Sequence, residues 1–210
     1  QPGGLLEAPV SLEGAAVDMR LTLGDRPRVE IAQAVVHDAD LRLTLRGMAE
    51  ARERGLALSL DASVPEVPVS RVLSLWPEGA AEGTRRWLSE NVQEGRARGV
   101  DLAIRAEPGT PLRRHLQMSL EGGVLTPLRD GPPLRDVSGH LELDGSRLVL
   151  RLDDGRMSAG GGDVRVGEVV MTVADNSEPG PRAAFRLSGE GEVADLLRIL
   201  DAPPIRIFRE

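Results

Sequence analysis

Apolar and polar residues alternate one for one along much of the chain. In AVDMRLTL, Val17, Met19, Leu21 and Leu23 fall on one face and Asp18, Arg20 and Thr22 on the other. ADLRLTLR repeats the pattern with Leu41, Leu43 and Leu45 against Asp40, Arg42, Thr44 and Arg46. GLALSLD supplies Leu56, Leu58 and Leu60, and GVDLAIRAE supplies Val100, Leu102 and Ile104. HLQMSLE, GHLELDG, RLVLRLDD, VGEVVMTVAD and AAFRLSG continue it, with Met118, Leu141, Leu143, Leu150, Phe185 and Leu187 on the apolar side. A period of two puts alternate side chains on opposite faces of a strand. With RVEIAQAVV, where Gln33 breaks the apolar face, the pattern predicts about ten strands. Asp144-Gly145 and Asp154-Gly155 predict tight hairpins, and Asp153-Asp154 a turn pair. The expected fold is mainly β and antiparallel, with one apolar and one charged face.

Three stretches depart from this period. VSRVLSLWP from Val69 and VADLLRILD from Val193 align residue by residue, pairing Val72 with Leu196, Leu73 with Leu197, Leu75 with Ile199 and Trp76 with Leu200. Both follow an alternating run and both stop at proline, Pro77 in one case and Pro203-Pro204 in the other. Val193, Leu196, Leu197 and Leu200 form a helical stripe expected to pack on a sheet. The third stretch predicts a short helix over 85–92, capped by Thr84 and ending near Gly95, with Trp87, Leu88 and Val92 as its apolar residues. The pattern describes strands closed by a short helix, repeated along a longer molecule. Its divisions are strands of a first unit in 1–68, a helical insertion in 69–95, strands of a second unit in 96–192, and a short helix in 193–204 before a further strand begins. Both ends read as cut from a longer protein, so a targeting segment would lie outside this sequence.

The apolar face needs a cover. Ten strands at about 4.8 Å spacing span roughly 48 Å. A helix of about ten residues is roughly 15 Å long and 10 Å across, enough for two or three strands. Two arrangements remain open: a sheet folded on itself as a sandwich or barrel, or a strongly curved sheet forming a trough whose apolar inside is kept for a ligand. In both, Trp76, Trp87 and Leu88 would anchor helical lids or end-plugs over part of the sheet.

Composition narrows the function. The chain has no Cys, which excludes disulfides and thiolate metal sites. A formal charge of −7 and an aromatic content of 2% argue against nucleic-acid binding, which needs a basic surface or a stacking platform. No segment approaches the roughly 20 apolar residues of a membrane span. His37, His115 and His140 are scattered, without metal-ligand spacing. GRMSAGGGDVRVG lacks the ending and following helix of a phosphate loop and reads as a flexible turn. No Ser/His/Asp set can be inferred, so the expectation is no catalytic residue, no metal and no cofactor. Arg85-Arg86 and Arg113-Arg114 could touch lipid phosphates, although solvated charge explains them more simply.

VPVSRVLSLWPEG, TRRWLSENVQEGRARGVDLAIRAEPG and PLRDVSGHLELDGSRLVLRLDDGRMSAGGGDVRVGEVVMTVAD together resemble the AsmA-like superfamily of large bacterial envelope proteins. The resemblance rests on the junction of Trp87, Leu88 and Gly95, the hairpin pattern over 137–148 and the V-x-x-L-L helix of Val193 to Leu197. These are loose patterns spread over 56–204. The resemblance implies a β-groove tethered to the inner membrane of a Gram-negative bacterium and lying in the periplasm. It also implies acyl chains of phospholipid or other lipids on the leucine-lined face, carried towards the outer membrane. The groove-lining candidates are then Val17, Met19, Leu21, Leu41, Leu43, Leu45, Leu58, Leu60, Leu102, Ile104, Met118, Leu141, Leu143 and Leu150. The inner-membrane segment is absent from this sequence, and envelope proteins are possible partners. The competing expectation is a structural or assembly module for outer-membrane biogenesis, with a closed β core and no lipid.

Overall fold

The alternating runs all become strands, and the strands form one sheet. The computed structural model describes residues 12–76, 82–126, 131–158, 162–175 and 182–201. Along the chain lie β1 (Gly14–Thr22), β2 (Arg28–His37), β3 (Arg42–Arg52), β4 (Gly55–Pro68), α1 (Val69–Ser74) and α2 (Glu82–Asn91). Then come β5 (Val92–Ala106), β6 (Arg113–Leu125), β7 (Leu134–Asp144), β8 (Arg147–Ser158), β9 (Asp163–Val173), β10 (Ala183–Glu190) and α3 (Val193–Asp201). The ten strands pair in chain order, each antiparallel to the next.

Among the described residues, β1 and β10 are the two edges, and the sheet is neither closed nor strongly curled. The sandwich or barrel therefore does not form, and the strong curvature expected for a trough is absent as well. The physical reason is that, among the described residues, α1 and α2 alone build a core on the apolar face, with no second layer for the sheet to wrap around. All three helices lie at one end of the sheet, where the even-numbered strands finish. Turns occupy the other end, including the Asp144–Arg147 hairpin, where Gly145 adopts φ +59° as such a turn requires.

Several local expectations change. Asp154-Gly155 is not a hairpin but lies inside β8, where a Cβ on Gly155 would come within 3.0 Å of the buried Leu134. Close packing, not a turn, uses the glycine there, and Asp153 is likewise a strand residue. The glycine-rich stretch is mostly strand, with 159–161 outside the described residues. α2 starts at Glu82, so Thr84 lies within it and not at its cap, and β5 follows at once. Gly95 consequently sits in β5 at φ +137°, where the pairing with β6 shifts register. The prolines at 77 and 203–204, the first eleven residues and the final run lie outside the described residues.

The α3 stripe also differs from expectation. Val193, Leu197 and Leu200 are exposed, and Asp195 is the buried residue, bonded to Arg198 beside Gly162. α1 and the residues just after it present the aligned Val69, Leu73 and Trp76 to a core that includes residues of β5 to β8. α3 has only β9 beside it in comparable contact, so its stripe has no such floor.

Gly139 fixes one strand spacing. It lies between Leu120 and Leu152 in register, and a Cβ on it would come 2.3 Å from the Arg151 carbonyl oxygen and 2.9 Å from Leu152 Cα. Backbone cannot yield as a side-chain tip can. Gly139→Ala should destabilise the sheet by about 1–3 kcal/mol, as other overpacked sites do, measured by urea unfolding.

Candidate functional site

Following the register from strand to strand gives one row that crosses the whole sheet. Val17, Ala34, Leu45, Ala62, Leu102, Leu116, Leu143, Leu148, Val173 and Ala183 are directly paired in turn, and every one is apolar. At about 4.8 Å per step the row is roughly 43 Å long. Parallel rows carry Met118, Leu141, Leu150 and Met171, and Ile31, Gly47, Leu60 and Ile104. The second ends at Arg114, half-buried, whose Nε donates to the Gly145 carbonyl at 2.9 Å.

The candidates from the sequence share this face but not its exposure. Val17, Met19 and Leu21 are 54–55% exposed at the β1 edge, with Leu23 at 77% beyond them. Leu43, Leu45, Leu58, Leu60, Leu102, Ile104, Met118 and Leu150 are half-buried. Leu41, Leu141 and Leu143 are buried, Leu41 in the turn just before β3. The sequence reading missed Ala34, Ala62, Leu116, Leu148 and Val173, which complete the row. Strand pairing would have found them, because alternation within one strand does not show which residue lies opposite in the next.

The helices cover one part of the face. Val69 of α1, Leu88 of α2 and Val92 form a buried cluster with Leu125, Leu134, Val137 and Leu152, and the half-buried Trp76 and Trp87 pack against it. A second cluster of Leu41, Val67 and Ala97 takes Val72 and Leu75 from the other side of α1. Between helices and sheet remains a cavity of about 40 Å³ walled by Val72, Leu73, Trp87, Met118, Leu141 and Leu150, among others. It is apolar and too small for a chain of any length.

An ion pair ties α1 to the β2–β3 turn. Arg71 donates to Asp38 Oδ2, and the Asp40 backbone N–H donates to Asp38 Oδ1 at 2.9 Å. That N–H first, and the Arg71 guanidinium with it, hold the Asp38 carboxyl below its ordinary 3.8.

The other face is charged. Arg105 bonds Asp61 at 2.7 Å, Arg98 lies 3.2 Å from Glu66 and 3.1 Å from Glu121, and Arg165 bonds Asp154 at 3.0 and 3.1 Å. Arg165 also lowers the Asp154 pKa. Such exposed pairs contribute little stability each. A hollow of about 310 Å³ on this face is lined by Thr44, Arg46, Asp61, Ser63, Asp101 and His115. Asp61 and Asp101 are already bonded, to Arg105 and Gln117, and the mixed charge selects no ligand. His140 lies 3.0 Å from Ser119 Oγ and 3.4 Å from Asp153. Arg113 stands opposite Arg105, and Arg86 is exposed on α2.

Among the described residues, no group of His, Asp and Glu could hold a metal ion, and no helix is long and apolar enough to cross a membrane. No family model, curated protein or solved structure matches the chain.

Two outcomes follow for the helical cover. Trp87→Ala, at a half-buried position, should cost about 2 kcal/mol, less than the 3–5 of full burial, with hydrogen exchange rising first in α2. Because the folded Asp38 pKa is depressed, its contribution is present above the unfolded value and lost as pH falls through the folded one. Tryptophan emission should therefore hold steady from neutral pH to about pH 5 and change below about pH 4. Asp38→Asn should remove that acid step.

Proposed function

We propose that this chain is a segment of a periplasmic AsmA-like envelope protein that binds phospholipid acyl chains along its apolar sheet face. The observation that carries the reading is the uninterrupted apolar row of ten strands, in which Val17 is exposed, Leu45, Ala62, Leu102, Leu116 and Leu148 are only half-buried, and Ala34, Leu143 and Val173 are buried. A contiguous apolar strip that the chain itself covers only in part marks an interaction surface. The activity is binding and guidance, not catalysis. Each methylene that exchanges water for the leucine face gains about 0.8 kcal/mol, while head-groups stay wet. Bending towards the apolar side would hide more of it, so the lipid-bearing form would be a more strongly curved groove than the open sheet. An inner-membrane tether belongs to the same proposal. The helices would act as a fixed stop, since Leu41 and Leu141 are closed off near them.

That closed portion also favours a second reading, an assembly module of the envelope in which protein covers the rest of the face. Mass spectrometry of lipids retained by the purified chain separates the two. Phospholipid should co-purify, and Leu102→Glu, on the open floor, should cut it roughly tenfold or more while leaving the sheet folded. Leu141→Glu should instead unfold the protein, because a carboxylate would be desolvated without a partner at a cost of several kcal/mol. A chain that carries no lipid and takes none from phospholipid vesicles would overturn the lipid reading.

A further inference from the structure

The β1 edge carries an observation independent of lipid. Its residues over 16–22 read Ala, Val, Asp, Met, Arg, Leu, Thr, and this order is self-complementary about Met19. When a second copy of the strand is laid antiparallel with Met19 opposite Met19, Val17 faces Leu21 and Asp18 faces Arg20, each twice. The apolar residues meet on the face where Val17, Met19 and Leu21 are 54–55% exposed. The charged residues meet on the other face, where Asp18 and Arg20 are exposed and form no ion pair among the described residues. The hydrogen bonding agrees. Asp38 bonds Leu41 and Ala51 bonds Pro27 across β2 and β3, so by alternation Glu30 and Val35 turn their backbone groups towards β1. There they pair with Arg20 and Ala16, so the even-numbered residues of β1 bond inward and Val17, Met19 and Leu21 direct theirs outward. Met19 would then exchange both backbone bonds with Met19 of the other copy, as Val17 and Leu21 would with its Leu21 and Val17, while Asp18 and Arg20 would meet in the pairs between.

We propose that β1 is a two-fold interface, at which a second copy of this chain pairs antiparallel about Met19 to give one continuous twenty-stranded sheet. A two-fold arrangement closes on itself and explains why, among the described residues, this edge has no proline, covering helix or single sign of charge of the kind that usually protects an edge strand. The apolar row continues across the junction through Val17 and Leu21, so the face is doubled in length without a second layer.

The chain contains no cysteine, which makes cross-linking clean. Met19→Cys places two thiols across the axis at the roughly 5.5 Å Cα separation of a hydrogen-bonded pair, within disulfide range. Mild oxidation should convert most of this variant to a covalent dimer, whereas Val17→Cys, whose two copies stand far apart, should stay monomeric. Val17→Cys cross-linking as readily as Met19→Cys would mean random collision and would overturn the proposal. Sedimentation of the unmodified chain between about 1 μM and 1 mM should show a monomer–dimer equilibrium. Arg20→Asp, which sets two acids opposite Asp18, should raise its dissociation constant roughly tenfold or more. The exchange Asp18→Arg with Arg20→Asp should restore it. A chain that is monomeric throughout, that forms open-ended chains through β10, or whose charge exchange fails to restore pairing does not use this interface.

Discussion

The constraint on which this structure depends is that one face of the sheet must stay apolar through nine consecutive strand pairings. A slip of one residue at any of them would turn every later leucine to the charged side. The register shifts show how the constraint is met. Between β5 and β6, Arg98 pairs with Ser119 and Asp101 with Gln117, so Gly99 and Val100 together stand opposite Met118. The extra residue changes the parity of β5, and Ala97 and Val100 end on the same face as a result. Gly99 takes φ +55°, which a residue with a side chain rarely does. The β1–β2 and β2–β3 pairings make a similar adjustment around Ala32 and Gln33. Gln33, which breaks the alternation in the sequence, is a sign of that bulge and not of a lost strand.

The second influence is where the helices fall. α1 and α2 stand in for a turn between β4 and β5, and they build the core with the most fully buried side chains, Val137 at 0% and Val67 at 2% exposure beside them. Packing is therefore uneven. The helical end resembles an ordinary two-layer domain, while the hairpin end and the β1 edge have one layer only. α3 follows β10 as α1 follows β4, yet Val193, Leu197 and Leu200 are exposed, because among the described residues only β9 lies in comparable contact with it.

Strand number, strand direction, the apolar face and all three helices were legible in the sequence, because period-two alternation and helical spacing are local signals. What was not legible depends on neighbours. Gly95, Gly139 and Gly155 look like punctuation in a linear reading, and only pairing shows that backbone or a leucine approaches each of them. Curvature was overread, since an apolar face demands cover but does not say whether the sheet or another molecule supplies it. Within the apolar row, Leu45, Leu102 and Leu143 stand out in their own strands, while Ala34 and Ala62 are too small to be noticed until the row that contains them is traced.

Strictly sequential pairing has a consequence for how the chain is made. Every strand bonds only to the strands before and after it in the sequence, so no contact within the sheet waits for a distant segment. Loop closure between partners is short and its entropy cost small. The sheet can grow one hairpin at a time as synthesis proceeds, each new strand docking on an edge that already exists. Stability then accumulates along one dimension, as in repeat arrays, and loss of an end strand leaves the remainder with a new edge of the same kind.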